Sequence, residues 1–171
     1  NPVMLEMQPL TFIFLCCIIT SMTFKSYKGL FKPKNPKKYK GDPTNIIYRS
    51  SWEKQCMIYF DNKSEIYQWQ SEELFIPYKH PIDGKYHRYY PDFKIWSKTK
   101  EGKEEVSIIE VKPYKQTQEP TVQTRKTRKY INEVKTYAIN TYKWKFAKQY
   151  CDDRNWRFII ITEKELGIKS W

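Results

Sequence analysis

Tyr89-Tyr90-Pro91-Asp92-Phe93-Lys94-Ile95-Trp96, a charged link, then Val106-Ser107-Ile108-Ile109-Glu110-Val111-Lys112-Pro113: these two runs decide how the chain folds. Both are dense in β-branched and aromatic residues, and the charged segment Ser97 to Glu105 between them reads as a turn, so the pair predicts an antiparallel hairpin. Successive strand side chains point to opposite faces, which puts Glu110 and Lys112 on one face and Ile109 and Val111 on the other. Closure of the hairpin brings Asp92 alongside Glu110.

Two carboxylates and an ammonium at the end of a paired sheet suit a hard divalent cation. Mg²⁺ takes oxygen ligands at about 2.1 Å, usually with only one or two carboxylates from the protein. A lysine beside it orients or helps deprotonate the attacking water and offsets charge on a phosphoryl transition state. The same charges also suit a cross-strand ion pair on a solvated sheet edge. Ile108-Ile109 leading straight into Glu110, and Pro91 before Asp92, favour a site, because a strand that reads as buried has little reason to carry three charges at one end. In this order and spacing, Pro91-Asp92 with Glu110-Val111-Lys112 resembles the signature of the restriction-endonuclease-like nucleases.

Outward from this hairpin, 171 residues suit one domain, and 40% hydrophobic with 17% aromatic residues can build its core. A formal charge of +12 points to a polyanionic partner. Fourteen tyrosines and six tryptophans interleaved with lysine and arginine favour nucleic acid over an anionic membrane. The cysteines Cys16, Cys17, Cys56 and Cys151 form no Cys-x-x-Cys pair, the two histidines complete no zinc spacing, and a reducing compartment fits. Cys56 reads as a small core residue.

Residues 1–21 differ from the rest. The apolar run Thr11 to Thr20 is too short to span a bilayer and lacks a preceding basic segment, so we expect an extension without a folded role, with the native start at Met22. A membrane anchor or signal is the lesser alternative. Residues 22–44 read as a basic arm: Lys25 to Lys40 is broken by Pro33 and Pro36 and predicts an extended, mobile segment, either gripping phosphate or simply solvated. Residues 45–171 read as the catalytic domain. Ser50 and Glu53 have capping-box spacing at the start of a helix with Trp52, Cys56, Met57, Tyr59 and Phe60 on it. Strands are expected at Ile66 to Trp69 and Leu74 to Tyr78, with a turn at Pro81-Ile82-Asp83-Gly84; His87 reads as a surface histidine. Thr124 to Asp152 reads as a long helix or two joined helices, with a packing stripe at Ile131, Val134, Ala138 and Tyr142. A buried strand Trp156 to Ile161 and a capped short helix Thr162 to Leu166 close the chain. The expected fold is α/β, a mixed, mainly antiparallel sheet flanked by helices. The candidate DNA contacts are Lys34, Lys38, Arg49, Lys115, Arg125 and Arg128.

A closer likeness lies in the segments Lys32 to Pro36, Tyr39 to Thr44, Tyr48-Arg49-Ser50 with Trp52-Glu53, Tyr86 to Phe93 and Glu110 to Tyr114. From about residue 27 to the end they resemble the head-completion nucleases of T-even-type tailed phages. The resemblance implies a restriction-endonuclease-like core and a Mg²⁺-dependent endodeoxyribonuclease, with Mn²⁺ as a substitute. Its catalytic residues would be Asp92, Glu110 and Lys112, with Glu53 as a further acid and metal ligand. It implies duplex DNA and phage head or portal proteins as partners, no membrane, and action in the host cytoplasm during assembly or in the virion. Two other readings stay open: a structural head protein that binds DNA ends or the portal without cutting, and a junction-resolving or transposon-end nuclease on the same core.

Overall fold

The decisive hairpin closes in the expected register. In this computed structural model, which describes residues 27–167, β6 (Phe93–Lys98) pairs antiparallel with β7 (Glu104–Val111), Phe93 facing Ile109 and Ile95 facing Ser107. On the far side of β6 lies β3 (Ile66–Ser71), also antiparallel. On the far side of β7 lies β8 (Arg157–Ile161), which runs parallel to it. A parallel neighbour requires a crossover, and the 25-residue helix α3 (Arg128–Asp152), preceded by the four-residue α2 (Tyr114–Thr117), supplies it. The sheet order is therefore β3-β6-β7-β8, mixed and mainly antiparallel.

The period-two pattern divides the core between the two faces. Phe93, Ile95, Ile109, Val111 and Ile161 go to one side, where they meet Trp52, Cys56, Met57 and Phe60 of α1 (Ser51–Asn62). Phe158 goes to the other side, against Ile139, Phe146, Ala147 and Tyr150 of α3. Tyr78 and Tyr89 join that second cluster from a separate two-stranded ribbon, β4 (Ile76–Lys79) with β5 (Tyr86–Tyr89). Cys56 is fully buried among apolar residues, as expected. Among the described residues no helix is long and apolar enough to cross a membrane. Residues 1–21 lie outside the described residues.

Four expectations need correction. The run Tyr89 to Trp96 is not one strand. Tyr89 ends the ribbon and Phe93 begins the sheet, and the chain changes sheets at Tyr90-Pro91-Asp92, where proline supplies no amide to a ladder.

The lysine-rich arm, from Tyr27 onward, is folded. β1 (Gly29–Phe31) pairs with β2 (Ile46–Tyr48), Pro36–Lys38 forms a 3₁₀ turn, and the Lys40 amide bonds the Trp69 carbonyl at 2.8 Å. The anchor is Asp61, whose buried carboxylate accepts from the amides of Lys34 at 2.7 Å and Asn35 at 3.2 Å. Lys38 Nζ donates to the carbonyls of Asp61 and Lys63, closing the C-terminus of α1, where cations are favourable. Prolines that bar helix do not bar a segment tied down by amide–carboxylate bonds.

The long helix starts at Arg128, not Thr124, and its first half carries no packing stripe. Ile131, Val134 and Tyr142 are all exposed, and the packed face begins near Ile139. The helix overshoots the sheet, so the expected stripe has no sheet to pack on. Finally, Thr162 to Leu166 makes its capping box, with Glu165 Oε2 accepting from the Thr162 amide at 2.7 Å, but forms only turns.

Candidate active site

The acids meet where β6 starts and β7 ends. Ile109 and Val111 face the α1 side, so Glu110 between them turns to the opposite side, and Asp92, in the bend just before β6, comes alongside it. Asp92 Oδ2 accepts a 2.7 Å bond from the Val111 amide. Glu110 is 3% exposed, and both its oxygens are engaged: Oε2 accepts from the Tyr89 hydroxyl at 2.6 Å, and Oε1 lies 3.0 Å from Lys112 Nζ. That is what a buried carboxylate requires.

Crowding the two acids shifts protons. Burial, then the Glu110 charge, push the Asp92 carboxyl up to about 8, outweighing the opposing pull of Lys112 and the Val111 amide. Burial alone would lower the Lys112 ammonium; Glu110 and Asp92 together outweigh it, and its pKa is raised. Burial, reinforced by Glu110, pushes the Tyr89 phenol well above its ordinary value, so it stays a donor. In the metal-free site burial and the neighbouring charge thus favour the protonated Asp92 carboxyl, and the two acids favour the Lys112 ammonium. A divalent cation between the carboxylates would relieve the repulsion that raises Asp92. Asp92 Oδ1 and the remaining lone pairs of Glu110 are hard oxygen donors of the kind Mg²⁺ selects, so the donor set fits that ion.

Glu53 reaches the same place from α1. Its amide donates to Ser50 Oγ at 3.1 Å, and its carboxylate accepts from the Ser50 hydroxyl at 3.0 Å and the Arg49 amide at 2.8 Å. The capping box forms, closed on the Arg49 amide rather than that of Ser50. Glu53 also lines a hollow of about 200 Å³ with Arg49, Trp52, Lys112 and Gln116, and its charge bears on Asp92 and Lys112.

Of the basic candidates, Arg49 lines this hollow and pairs with Glu72. Lys115 lines a larger cleft of about 900 Å³ beside it, with Lys129 and Tyr137 of α3; the two hollows share Gln116. The larger cleft holds none of the three converging acids. Arg125 and Arg128 are exposed at the overshooting start of α3. Lys34 and Lys38 are not brought to the site. They sit at the other end of the 12-residue α1, which is about 18 Å long, and Lys38 serves as its cap.

Two contributors were not found from sequence. In the sequence Tyr89 reads only as part of a strand. Lys143 of α3 is half-buried, with Nζ 5.8 Å and 5.6 Å from the ring centres of Tyr78 and Tyr89. Burial lowers its pKa, Lys112 adds to the lowering, and Glu110 and Asp92 oppose it. The signal was there: Lys143 lies on the helical face of Ile139, Phe146, Ala147 and Tyr150, a lone cation in an apolar stripe.

With this geometry in hand, comparison with known proteins is specific. The family described as TnsA-like endonuclease N terminal matches residues 63–163, which include Asp92, Glu110 and Lys112. The head completion nuclease of Enterobacteria phage T4 is 41% identical over 152 residues, covering 85% of this chain and 99% of the phage protein. No solved structure matches. The chain therefore belongs to the TnsA-like endonuclease N-terminal family, and it is a relative of the T4 head completion nuclease along nearly that protein's whole length.

Proposed function

We propose that the protein is a Mg²⁺-dependent DNA endonuclease acting in phage head completion. The observation that carries this reading is the convergence of Asp92, Glu110 and Lys112 at one end of the β6–β7 pair, with Glu110 buried and its oxygens held by Tyr89 and Lys112. Asp92 and Glu110 would hold the ion, with Mn²⁺ an alternative. When bound, Mg²⁺ supplies Lewis-acid polarisation of the scissile phosphate and a lowered pKa for its water. Lys112, whose raised pKa keeps it an ammonium, suits charge stabilisation better than general-base work. Arg49 and Lys115 beside the site would take the DNA backbone. The name and near full-length match of the phage relative support head completion, with head or portal proteins as partners and the host cytoplasm or the virion as the place. The family match favours, as a second reading, a transposon-end or junction nuclease.

The test is incubation of the purified full chain with circular duplex, linear duplex and branched DNA, in Mg²⁺ or EDTA. The proposal expects Mg²⁺-dependent cutting of plain duplex. Cutting confined to branched substrates would favour the second reading, and absence of cutting would leave a structural head protein.

Two substitutions test the supports. Tyr89→Phe removes the phenol that holds Glu110, and the initial rate should fall roughly tenfold with the fold intact. Glu53→Gln keeps an acceptor for the Arg49 amide, so stability should change by less than about 0.5 kcal/mol. If Glu53 also ligates Mg²⁺, the Gln variant cuts more slowly and needs more Mg²⁺. Parent-like Mg²⁺ dependence would confine it to the helix cap.

A further inference from the structure

The turn of the β4–β5 ribbon gathers His80, Asp83 and His87, with one ligand atom from each lying within 4.8 Å of the others. These are the only two histidines in the chain. Chain direction explains how they meet. Tyr78 faces His87 across the ribbon, so His80, two residues beyond Tyr78, projects on the same face as His87. The imidazole centroids are 4.6 Å apart with the rings tilted by 31°. Each ring addresses a different oxygen of one carboxylate: His87 Nε2 lies 2.8 Å from Asp83 Oδ2, and His80 Nδ1 lies 3.3 Å from Asp83 Oδ1. His80 Nδ1 is buried, and that approach to Asp83 does not have hydrogen-bond geometry, so the nitrogen has no hydrogen-bond partner. A buried ring nitrogen that has a carboxylate beside it but no hydrogen bond is costly in an ordinary turn, and a metal ion between the two would satisfy both.

We propose that His80, Asp83 and His87 bind a divalent first-row transition ion of the Zn²⁺ class, separate from the Mg²⁺ site. Two imidazoles and one carboxylate suit Zn²⁺, Co²⁺ or Ni²⁺ and not Mg²⁺, which selects an all-oxygen shell. Zn–N bonds of about 2.0–2.1 Å place tetrahedral ligand atoms roughly 3.3 Å apart. The separations at Asp83 are of that order, 2.8 Å from His87 to Oδ2 and 3.3 Å from His80 to Oδ1, and one ligand atom from each residue lies within 4.8 Å of the other two. The backbone supports the carboxylate, since Asp83 Oδ1 also accepts from the Lys85 amide at 3.0 Å.

The ion would act as a clamp. A two-stranded ribbon is marginal on its own, and this one ends at Tyr89, the residue that holds Glu110. His87 and Tyr89 lie on the same face of β5, so fixing the turn fixes the strand that positions the Tyr89 hydroxyl. The proposal does not depend on the nuclease reading, because its readout is metal binding.

The experiment uses the untagged full chain, stripped of metal and held in excess Mg²⁺ so that the carboxylate site is occupied. Zn²⁺ is titrated by calorimetry and by imidazole NMR, in which only His80 and His87 report. We expect one Zn²⁺ with micromolar Kd, both imidazoles shifting together, and a higher thermal midpoint. His87→Ala should weaken binding by at least about 100-fold, more than loss of a mere supporting group, while Asp92→Asn should leave it unchanged. Should His87→Ala fail to fold, the coupled imidazole shifts in the parent still decide. Absence of binding at millimolar Zn²⁺, or binding that leaves both imidazoles unmoved, would overturn the site.

Discussion

Asp92→Asn should end DNA cleavage and, in the metal-free protein above pH 8, raise the thermal midpoint. The two effects come from one cause. Burial and Glu110 push the Asp92 carboxyl from 3.8 up to about 8 in the folded state. Between those values the unfolded chain releases the proton and the folded chain keeps it. Stability tied to Asp92 is thus fully present below about pH 4, falls as pH rises, and is lost once pH passes about 8. Asparagine accepts the same Val111 amide bond without that charge. The gain should be about 1–2 kcal/mol, or roughly 2–8 °C for a chain of this size. Parent and variant should converge below pH 4, and Mg²⁺ should stabilise the parent far more than the variant. Thermal melts at several pH values, with Mg²⁺ and with EDTA, measure all of this. A variant less stable than the parent above pH 8 would mean that the two acids do not repel each other as described.

Lys112→Met should do the reverse to stability and the same to activity. Glu110 is 3% exposed, and Lys112 Nζ at 3.0 Å is its salt-bridge partner. Removing one partner of such a pair leaves a buried charge uncompensated, with losses in the range of 3–5 kcal/mol when both are deeply buried. Because the Lys112 side chain is 28% exposed, about 2–3 kcal/mol is expected here. Cleavage should fall roughly 10²–10³-fold, the scale for removing a group that stabilises transition-state charge. Chemical denaturation gives the stability and initial cleavage rates give the activity. Lys112→Met with Glu110→Gln should recover much of the stability and none of the activity. Failure of the double variant to recover would show that Lys112 stabilises through packing rather than through Glu110.

The hairpin and its three charged residues were legible because a period-two pattern fixes face and register together. Once Phe93 opposes Ile109, Asp92 falls beside Glu110. The helix cap at Ser50 was legible for a similar local reason. What sequence hid were contacts between distant segments. Asp61 is a carboxylate in the last turn of α1, yet it is 1% exposed because the amides of Lys34 and Asn35 fold back onto it. That tether is why a segment with the composition of a mobile tail is ordered, and why Lys38 closes a helix instead of meeting phosphate. Tyr89 was missed as the donor to Glu110 because its ribbon belongs to a different sheet. Ile131 and Val134 misled because amphipathic spacing shows which face could be buried and not whether a sheet extends that far.

The most direct measurement is the nicking rate of one supercoiled plasmid by the parent and by Glu110→Gln, each in Mg²⁺ and in EDTA. Glutamine preserves the shape and the acceptor for Tyr89 but removes the charge that would hold the ion. The account predicts rapid Mg²⁺-dependent nicking by the parent, none in EDTA, and a loss of about 10³-fold or more in Glu110→Gln despite a native fold. Nicking by folded Glu110→Gln at the parent's rate, or equal nicking by the parent in EDTA, would contradict it.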